Sequence, residues 1–359
     1  MAITRLTEEL QPGMTLDQDI YNKNNVLLLA KGAVLTEDNI QAIKRMGYTK
    51  ISVQKAPDKP GFWNRLDEEK LMEFQKSYEE SGEEVVELIK QISDGQQVNV
   101  EQAYRVPGAI LQETHSPYNL FPYMSHVEQL DHHTNGHSIN VSLICSAICQ
   151  WLELEAGISR DIIVAGLFHD IGKSRLNPDI LYKSRLTLKE LEEFKKHTTY
   201  GFQILEESNA PEIVRMAALC HHEREDGSGY PNGLAGDRIP LAAKIVAVAD
   251  VYDTMTSEQS HGGKVCPFKV IENLHLNYLG VLDTRILITF LARIAECYVG
   301  EMVRLTDGRT GQIVVINRTH PSRPMVRTRD DEIINLIKTP EVSIDAILPV
   351  GGNKDGSDL

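Results

Sequence analysis

Apolar and polar positions change their pattern along the chain, and the first change marks a small α+β module at residues 1–55. Short apolar runs at 26–29 and 51–53 predict two strands. Between them, residues 36–45 have the pattern of a helix, which Thr36 is expected to cap. We expect this module to have an accessory role.

A linker and a long helix are predicted for residues 56–114. The linker, at 56–65, is rich in Pro and Gly. From 66 to 92, apolar residues recur at near-helical spacing between Glu-rich polar positions. No sustained heptad is present, so packing on the rest of the chain is favoured over a seam between subunits. A homodimer remains the alternative.

Alternation typical of strands returns at residues 300–349 and predicts a small β-rich appendage. A hairpin is expected around the turn at 306–309. The expected strands are residues 302–305, 312–316, 326–328 and 333–336. The last segment, 350–359, is polar and Gly-rich and is predicted to be disordered.

Composition excludes several classes of protein. With 37 Lys and Arg against 51 Asp and Glu, the net charge is −14, which argues against binding polymeric nucleic acid. No apolar run approaches the roughly 20 residues of a membrane span, so no membrane insertion is expected. The five Cys are an odd number without a CxxC pair, and the N-terminus lacks a secretory pattern. A cytoplasmic protein is therefore expected.

Candidate chemistry is concentrated between residues 169 and 253. This region contains HDIGK at 169–173, His197, HHE at 221–223, DGSGYPNGL at 226–234 and ADVYD at 249–253. His169 and Asp170 follow an apolar run that should bury them, and Asp250 interrupts another. A buried carboxylate is costly unless it is paired or binds a metal. Imidazoles together with carboxylates suit divalent Mn, Fe, Co, Ni or Zn.

These blocks resemble the HD-GYP family, a branch of the HD-domain metal-dependent phosphohydrolases. The resemblance covers about 115–300 and includes six separated elements in order, beginning with His137 in GHS. It implies a mainly α fold, with an HD-type helical bundle as catalytic domain at 115–299 between the α+β module and the β-rich appendage.

The resemblance also implies a centre that holds two divalent transition-metal ions, such as Fe, Mn or Ni. The implied ligands are His137, His169, Asp170, His197, His221, His222 and Asp250. By analogy, His137, His169 and Asp250 serve one ion, and His197, His221 and His222 serve the other. Asp170 would bridge the two ions, which places them about 3.5–4 Å apart.

The activity implied by the family is hydrolysis of a cyclic dinucleotide by metal-activated water, with Asp170 and Lys173 as catalytic residues. Lys173 lies four residues after His169, on the same helical face if the helix continues, and could stabilise developing charge on the phosphate. Gly229, Tyr230, Asp253 and Lys183 are predicted to contact the substrate.

Two departures from the family pattern affect these expectations. His133 stands where some members have a Glu that helps to hold a third metal, so a third metal is not expected. Gln259 stands where many members have an Arg, which leaves the preferred dinucleotide open between cyclic di-GMP and 3′,3′-cyclic GMP-AMP. Lys264, Lys183 or Arg185 could supply the missing positive charge.

Two other functions are alternatives to hydrolysis of a cyclic dinucleotide. A non-hydrolysing receptor for the dinucleotide is the main alternative, but it has no need of an intact metal-ligand set. A broader HD phosphohydrolase that acts on nucleotides is disfavoured by the GSGYP sequence at 227–231.

Overall fold

The structure is a computed structural model. It describes the following residues: 2–10, 14, 16–18, 20–21, 27–29, 35, 37–54, 68–114, 117–126, 135–183, 185–257 and 265–348. The predicted linker at 56–65, the tail at 350–359 and the predicted cap Thr36 lie outside these residues.

The N-terminal module has its own small core. Its elements are β1 (Ala2–Leu6), β2 (Ile20–Tyr21), β3 (Leu27–Leu29), α1 (Glu37–Arg45) and β4 (Lys50–Gln54). The predicted helix and both predicted strands are present, whereas β1 and β2 were missed. Strand β1 pairs antiparallel with β4, and β2 pairs antiparallel with β3. Ile43 of α1 and Ile51 of β4 belong to a buried cluster that is separate from the main core.

The rest of the described chain is mainly helical up to residue 297. The helices are α2 (Glu68–Ser93), α3 (Val100–Thr114), α4 (Pro117–His126), α5 (Asn135–Trp151), α6 (Ala156–Phe168), α7 (Pro178–Leu181), α8 (Leu188–Lys195), α9 (His197–Glu207), α10 (Glu212–Cys220), α11 (Leu241–Ser257), α12 (Pro267–Asn277) and α13 (Thr284–Cys297). A short 3₁₀ helix, Ile171–Arg175, lies between α6 and α7. Of the described residues, no helix combines the length and apolar character that crossing a bilayer requires.

Four helices form the centre of the bundle: α5, α6, α10 and α11. Helix α5 packs against α6 and α11, and α10 packs against α6, α9 and α11. The last seven residues of α6, 162–168, are all buried, because this helix is apolar on every side. Helix α2 covers α3 and α5 and buries Phe74, Tyr78 and Val85 in the same core. Packing of this helix on the rest of the chain, the favoured expectation, is therefore confirmed.

A five-stranded antiparallel sheet completes the fold. Its strands are β5 (Met302–Leu305), β6 (Thr310–Asn317), β7 (His320–Thr328), β8 (Ile333–Asn335) and β9 (Ile344–Ile347), in the spatial order β8-β7-β6-β5-β9. The predicted hairpin is β5–β6. Val303, Ile313 and Val326 are buried in one core with the helices. An ion pair between Arg323 of β7 and Glu272 of α12 also joins the two parts. The sheet therefore supports the bundle directly.

Candidate metal centre

Helix ends bring the predicted ligand side chains together. His137 lies near the start of α5, and His197 is the first residue of α9. Helix α6 ends at Phe168, which places His169 and Asp170 in the turn that follows. His221 directly follows α10, whereas Asp250 projects from the middle of α11. Because these helices pack around one centre, residues distant in sequence share one buried site.

The ligand atoms form two groups, and the atoms within each group lie within 4.8 Å of one another. One group is His137, His169 and Asp250, and the other is Asp170, His197, His221 and His222. The structure thus brings together all seven predicted ligand residues, divided between two positions as expected. Among the described residues, no other group of this kind is present.

Backbone carbonyls fix the orientation of three imidazole rings. In each case Nδ1 lies against the carbonyl oxygen three residues earlier: 2.8 Å for His169, 2.7 Å for His197 and 2.9 Å for His221. Because a carbonyl can only accept, each Nδ1 carries a proton and each Nε2 presents its lone pair. The fold of the three helix ends therefore selects the tautomer that binds metal through Nε2.

These lone pairs point at the oxygens of Asp170. Its Oδ2 lies 3.3 Å from Nε2 of His169, and its Oδ1 lies 3.4 Å from Nε2 of His197. Nε2 of His169 and Oδ1 of Asp170 are buried without a hydrogen-bond partner among the described atoms. Buried acceptors that face one another are unfavourable unless a cation lies between them. The site thus fits divalent metal ions held by Nε2 atoms and carboxylate oxygens.

Burial keeps the second group in its metal-binding protonation state. Burial is the main cause that lowers the pKa of His197 and His221, and it lowers the pKa of His222 to about 3. These imidazoles are therefore neutral near pH 7, as metal ligands must be. Burial alone would raise the pKa of Asp170, but Lys173 and His169 outweigh it and hold that pKa well below its usual value. Asp170 is therefore an ionised carboxylate.

His137 is oriented by a side chain, Asp253. Its Nδ1 lies 2.8 Å from Oδ2 of Asp253, and its Nε2 lies 3.2 Å from Oδ1 of Asp250. Burial would lower the pKa of His137, but these two carboxylates raise it to about 10. The prediction that Asp253 contacts substrate is corrected, because this carboxylate is buried and its other oxygen accepts from Nδ2 of Asn140.

Lys173 lies beside the ligand groups, but the backbone that carries it is not the continued α-helix that was expected. The α-helix does not continue past Phe168, and Lys173 lies in the 3₁₀ helix. In a 3₁₀ helix residues i and i+3 are aligned, so its ammonium pairs with Oδ2 of Asp170 rather than lying over His169. The Lys173 side chain is only partly buried, and its ammonium lies 5.7 Å from the ring centre of Phe194. The ammonium is therefore at the edge of the candidate metal centre.

Gly172 allows the 3₁₀ helix to touch α9. A Cβ atom at this position would lie 1.9 Å from the carbonyl oxygen of His197 and 2.3 Å from the amide nitrogen of Gly201. Both neighbours are backbone atoms, which cannot rotate away. The glycine is therefore required for the close approach that places Asp170 beside His197.

Glu223 holds the GYP loop, residues 226–234, against the metal centre. Its side chain is buried, and its two oxygens each accept a backbone N–H at 2.8 Å, one from Asn232 and one from Leu234. A Cβ atom at Gly229 would lie 2.4 Å from the Cα atom of Glu223. Gly229 thus serves close packing of the loop, and the predicted substrate contact is replaced by this role.

Tyr230 extends the metal centre towards solvent. Its ring stacks on His222 with centroids 4.7 Å apart and an interplanar angle of 27°. The ammonium of Lys195 lies 5.1 Å from the centre of the Tyr230 ring. The half-buried Tyr230 and Lys195 therefore form an aromatic and cationic rim beside His222.

Residues 123–275 match the family model described as the HD domain. A cyclic di-GMP phosphodiesterase of Pseudomonas aeruginosa is 31% identical over 232 residues, which cover 64% of this chain and 56% of that protein. Residues 123–275 of the chain therefore form an HD domain. A 3′3′-cGAMP-specific phosphodiesterase of Vibrio cholerae is 36% identical over 138 residues, 38% of this chain and 26% of that protein.

The fold of the chain also matches a solved structure. An HDG"Y"P protein from Bdellovibrio bacteriovorus superposes with a TM-score of 0.51 and covers 81% of this chain and 98% of that one. At 16% identity this likeness concerns the fold alone. The chain spans about half the length of the Pseudomonas relative, 56%, and 26% of the Vibrio relative.

Other residues that the sequence analysis predicted for the site do not contact the two ligand groups among the described residues. Lys183 is exposed and pairs with Glu190 at 2.7 Å, and Arg185 is exposed. No described contact links Lys183 to the ligand groups, so its predicted substrate contact has no support in the geometry. His133, Gln259 and Lys264 lie outside the described residues.

Three residues at or beside the candidate metal centre were missed by the sequence analysis. Asn140 lies one helical turn after His137, and Lys195 lies two residues before His197. Glu223 follows the adjacent histidines and precedes the Gly-rich loop. Its position in the sequence could have identified Glu223, because a carboxylate next to a glycine-rich loop can accept the N–H groups that the turns leave unpaired. Nothing in the sequence around Asn140 or Lys195 indicated a role for either residue.

Proposed function

We propose that this chain is a metal-dependent phosphodiesterase that hydrolyses a cyclic dinucleotide. The observation that carries the proposal is the convergence of imidazole Nε2 atoms on the two oxygens of the buried Asp170. Such an arrangement suits two cations that share one carboxylate, a design used in phosphate-ester hydrolysis. The presence of an HD domain supports the same chemistry.

Two divalent ions, of Fe, Mn, Ni or a similar metal, would be held by the two ligand groups and by Asp170. When bound, such ions polarise a phosphodiester oxygen and activate water. A third ion is not proposed. The hydrogen bonds at Nδ1 keep the His169, His197 and His221 rings in place before the ions arrive, which lowers the cost of assembling the site.

The substrate would be received by cations and an aromatic ring at the edge of the metal centre. Lys173 supplies a positive charge beside Asp170, where it can stabilise charge that develops on the attacked phosphate. Lys195 has no carboxylate partner among the described residues, so its charge is available to a second phosphate. Tyr230 offers a half-buried ring on which a base can stack.

The choice between cyclic di-GMP and 3′,3′-cyclic GMP-AMP is left open in the proposal. The Pseudomonas and Vibrio relatives are named for these two substrates respectively. The alternative, a receptor that binds without hydrolysis, gains no support from the relatives, which are named phosphodiesterases. We further propose a cytoplasmic protein that binds no polymeric nucleic acid, with a homodimer as an open question.

Turnover of a cyclic-dinucleotide panel with Mn or Fe supplied would test the function. The purified full chain is expected to convert at least one of the two dinucleotides to a linear or mononucleotide product, resolved by chromatography. Protein stripped with a chelator is the control and should be inactive until metal returns. Binding of a dinucleotide without any product, with metal present, would overturn hydrolysis in favour of the receptor.

A further inference from the structure

His137 differs from the other oriented histidines in what holds its ring. The rings of His169, His197 and His221 each donate to the backbone carbonyl three residues earlier in the chain. No side-chain substitution can remove those contacts. His137 instead donates to the carboxylate of Asp253 on a different helix, so its orientation depends on side chains elsewhere.

Asp253 is itself the middle of a buried chain of hydrogen bonds. Its Oδ1 accepts from Nδ2 of Asn140 at 2.9 Å, and Oδ1 of Asn140 accepts from the hydroxyl of Tyr78 at 2.8 Å. Tyr78, Asn140 and Asp253 are 4%, 8% and 3% exposed. The chain therefore runs through the protein interior from α2 to the metal centre, without competition from solvent.

Each link in this chain has one consistent direction of donation. Burial, the main cause, raises the pKa of Tyr78, so its hydroxyl stays protonated and donates. Asn140 must then turn its amide oxygen towards Tyr78 and its amide nitrogen towards Asp253. Asp253 accepts, so Nδ1 of His137 carries a proton, which leaves Nε2 as the ring nitrogen that can bind a metal once it has lost its own proton. The hydroxyl of Tyr78 also contacts the carbonyl of Gly136, next to His137, at 3.2 Å.

We propose that Tyr78 is a positioning residue for His137, which makes α2 a functional part of the metal centre. Tyr78 lies before the residues that match the HD domain, 123–275, so the family model does not account for it. The inference rests on the metal site proposed above. It predicts an asymmetric defect, in which loss of the Tyr78 hydroxyl weakens the ion position of His137 and spares that of His197.

Metal titration of Tyr78→Phe tests this inference without relying on turnover. The full-length variant and the wild type would be titrated with Mn²⁺ against a competing chelator. Tyr78→Phe keeps the ring and removes only the hydroxyl. We expect one of two ions to bind about 10–100-fold more weakly, the range for partners that orient a ligand, and the other to bind as before. Tyr298→Phe is the matched control, because it removes a buried hydroxyl that bonds to Ser125 instead.

A second variant, Asn140→Ala, keeps the test decisive if Tyr78→Phe lowers stability. If both residues act through Asp253, the double variant should lose no more affinity than the more damaging single variant. Equal affinity of Tyr78→Phe and wild type at both positions would overturn the inference, as would an equal loss in Tyr298→Phe. A wild-type protein that binds no metal would instead refute the proposed function.

Discussion

Substitution of Glu223 should separate the support of the GYP loop from the metal ligands themselves. Both oxygens of this buried carboxylate accept backbone N–H groups, from Asn232 and Leu234, at 2.8 Å each. Glu223→Ala would leave two loop donors without their partner. Glu223→Gln keeps one acceptor oxygen but turns an NH₂ group towards the other donor. Glu223→Ala should therefore be less stable than Glu223→Gln, and Glu223→Gln should be less stable than the wild type.

The size of the effect follows from those two bonds. A hydrogen bond to a charged group contributes about 1.5–3 kcal/mol, so Glu223→Ala should destabilise the folded state by roughly 3–6 kcal/mol. Glu223→Gln should cost about half as much. For a unit of 150–250 residues, 1 kcal/mol shifts Tm by about 2–4 °C, which predicts a fall on the order of 10 °C for Glu223→Ala.

Thermal unfolding of the full chain, followed by circular dichroism and calorimetry, measures this series. Glu206→Ala is the matched control, because Glu206 forms an exposed ion pair with Arg215 that should contribute at most about 1 kcal/mol. KM for the dinucleotide should rise in the order of lost stability, since the loop carries Tyr230. A Tm for Glu223→Ala within 2 °C of wild type would refute the reasoning, as would Glu223→Gln being the less stable variant.

Three further outcomes are expected. Gly172→Ala should lower both Tm and bound metal, measured by calorimetry and elemental analysis, because its Cβ would meet backbone 1.9 Å away; normal metal content would contradict the close packing. Lys195→Ala should raise KM about tenfold, roughly 1.4 kcal/mol, with metal content unchanged; an unaltered KM would remove Lys195 from the substrate site. A chain ending at residue 299 should unfold at a lower temperature than the full chain, because Val303 and Ile313 share the helical core. A chain beginning at Glu68 should unfold at the same temperature as the full chain, because the N-terminal module has a separate core. Scanning fluorimetry measures both unfolding temperatures.

Part of the ligand set could be predicted from the sequence, because a polar residue within or directly after an apolar run is expected to be buried. Asp250 within an apolar helix, and His169 and Asp170 after one, can be tolerated only with a partner or a metal. The structure brings His169 and Asp250 together with His137, the grouping that the resemblance to the HD-GYP family implied. Helix α1, strands β3 and β4 and the β5–β6 hairpin also followed from local pattern and turn residues, whereas β1 and β2 did not.

The contacts that orient the ligands could not be predicted, because they join distant parts of the chain. Tyr78 looks like an ordinary core position on an amphipathic helix, and only the packing of α2 against α5 brings its hydroxyl to Asn140. Asp253 was predicted to contact substrate. The carboxylate of Asp253, one helical turn after Asp250 on α11, instead lies 2.8 Å from Nδ1 of His137.

Local backbone geometry set a second limit. The expectation for Lys173 assumed that the α-helix continues past His169, whereas it ends at Phe168. Sequence pattern does not distinguish an α-helical turn from a 3₁₀ turn at the end of a helix. The catalytic role of Lys173 stays a prediction, because both geometries direct its side chain towards the ligand groups.

Asp170→Asn tests the central claim most directly, since this carboxylate lies between the two ligand groups. Metal content by elemental analysis and turnover of cyclic dinucleotides would be measured on the same samples, with Asp161→Asn on α6 as the control. We predict about two ions per chain and turnover for the wild type and for Asp161→Asn. For Asp170→Asn we predict one ion or none and no turnover, because a neutral amide neither bridges two ions well nor offsets their charge. Normal metal content together with full activity in Asp170→Asn would contradict the account.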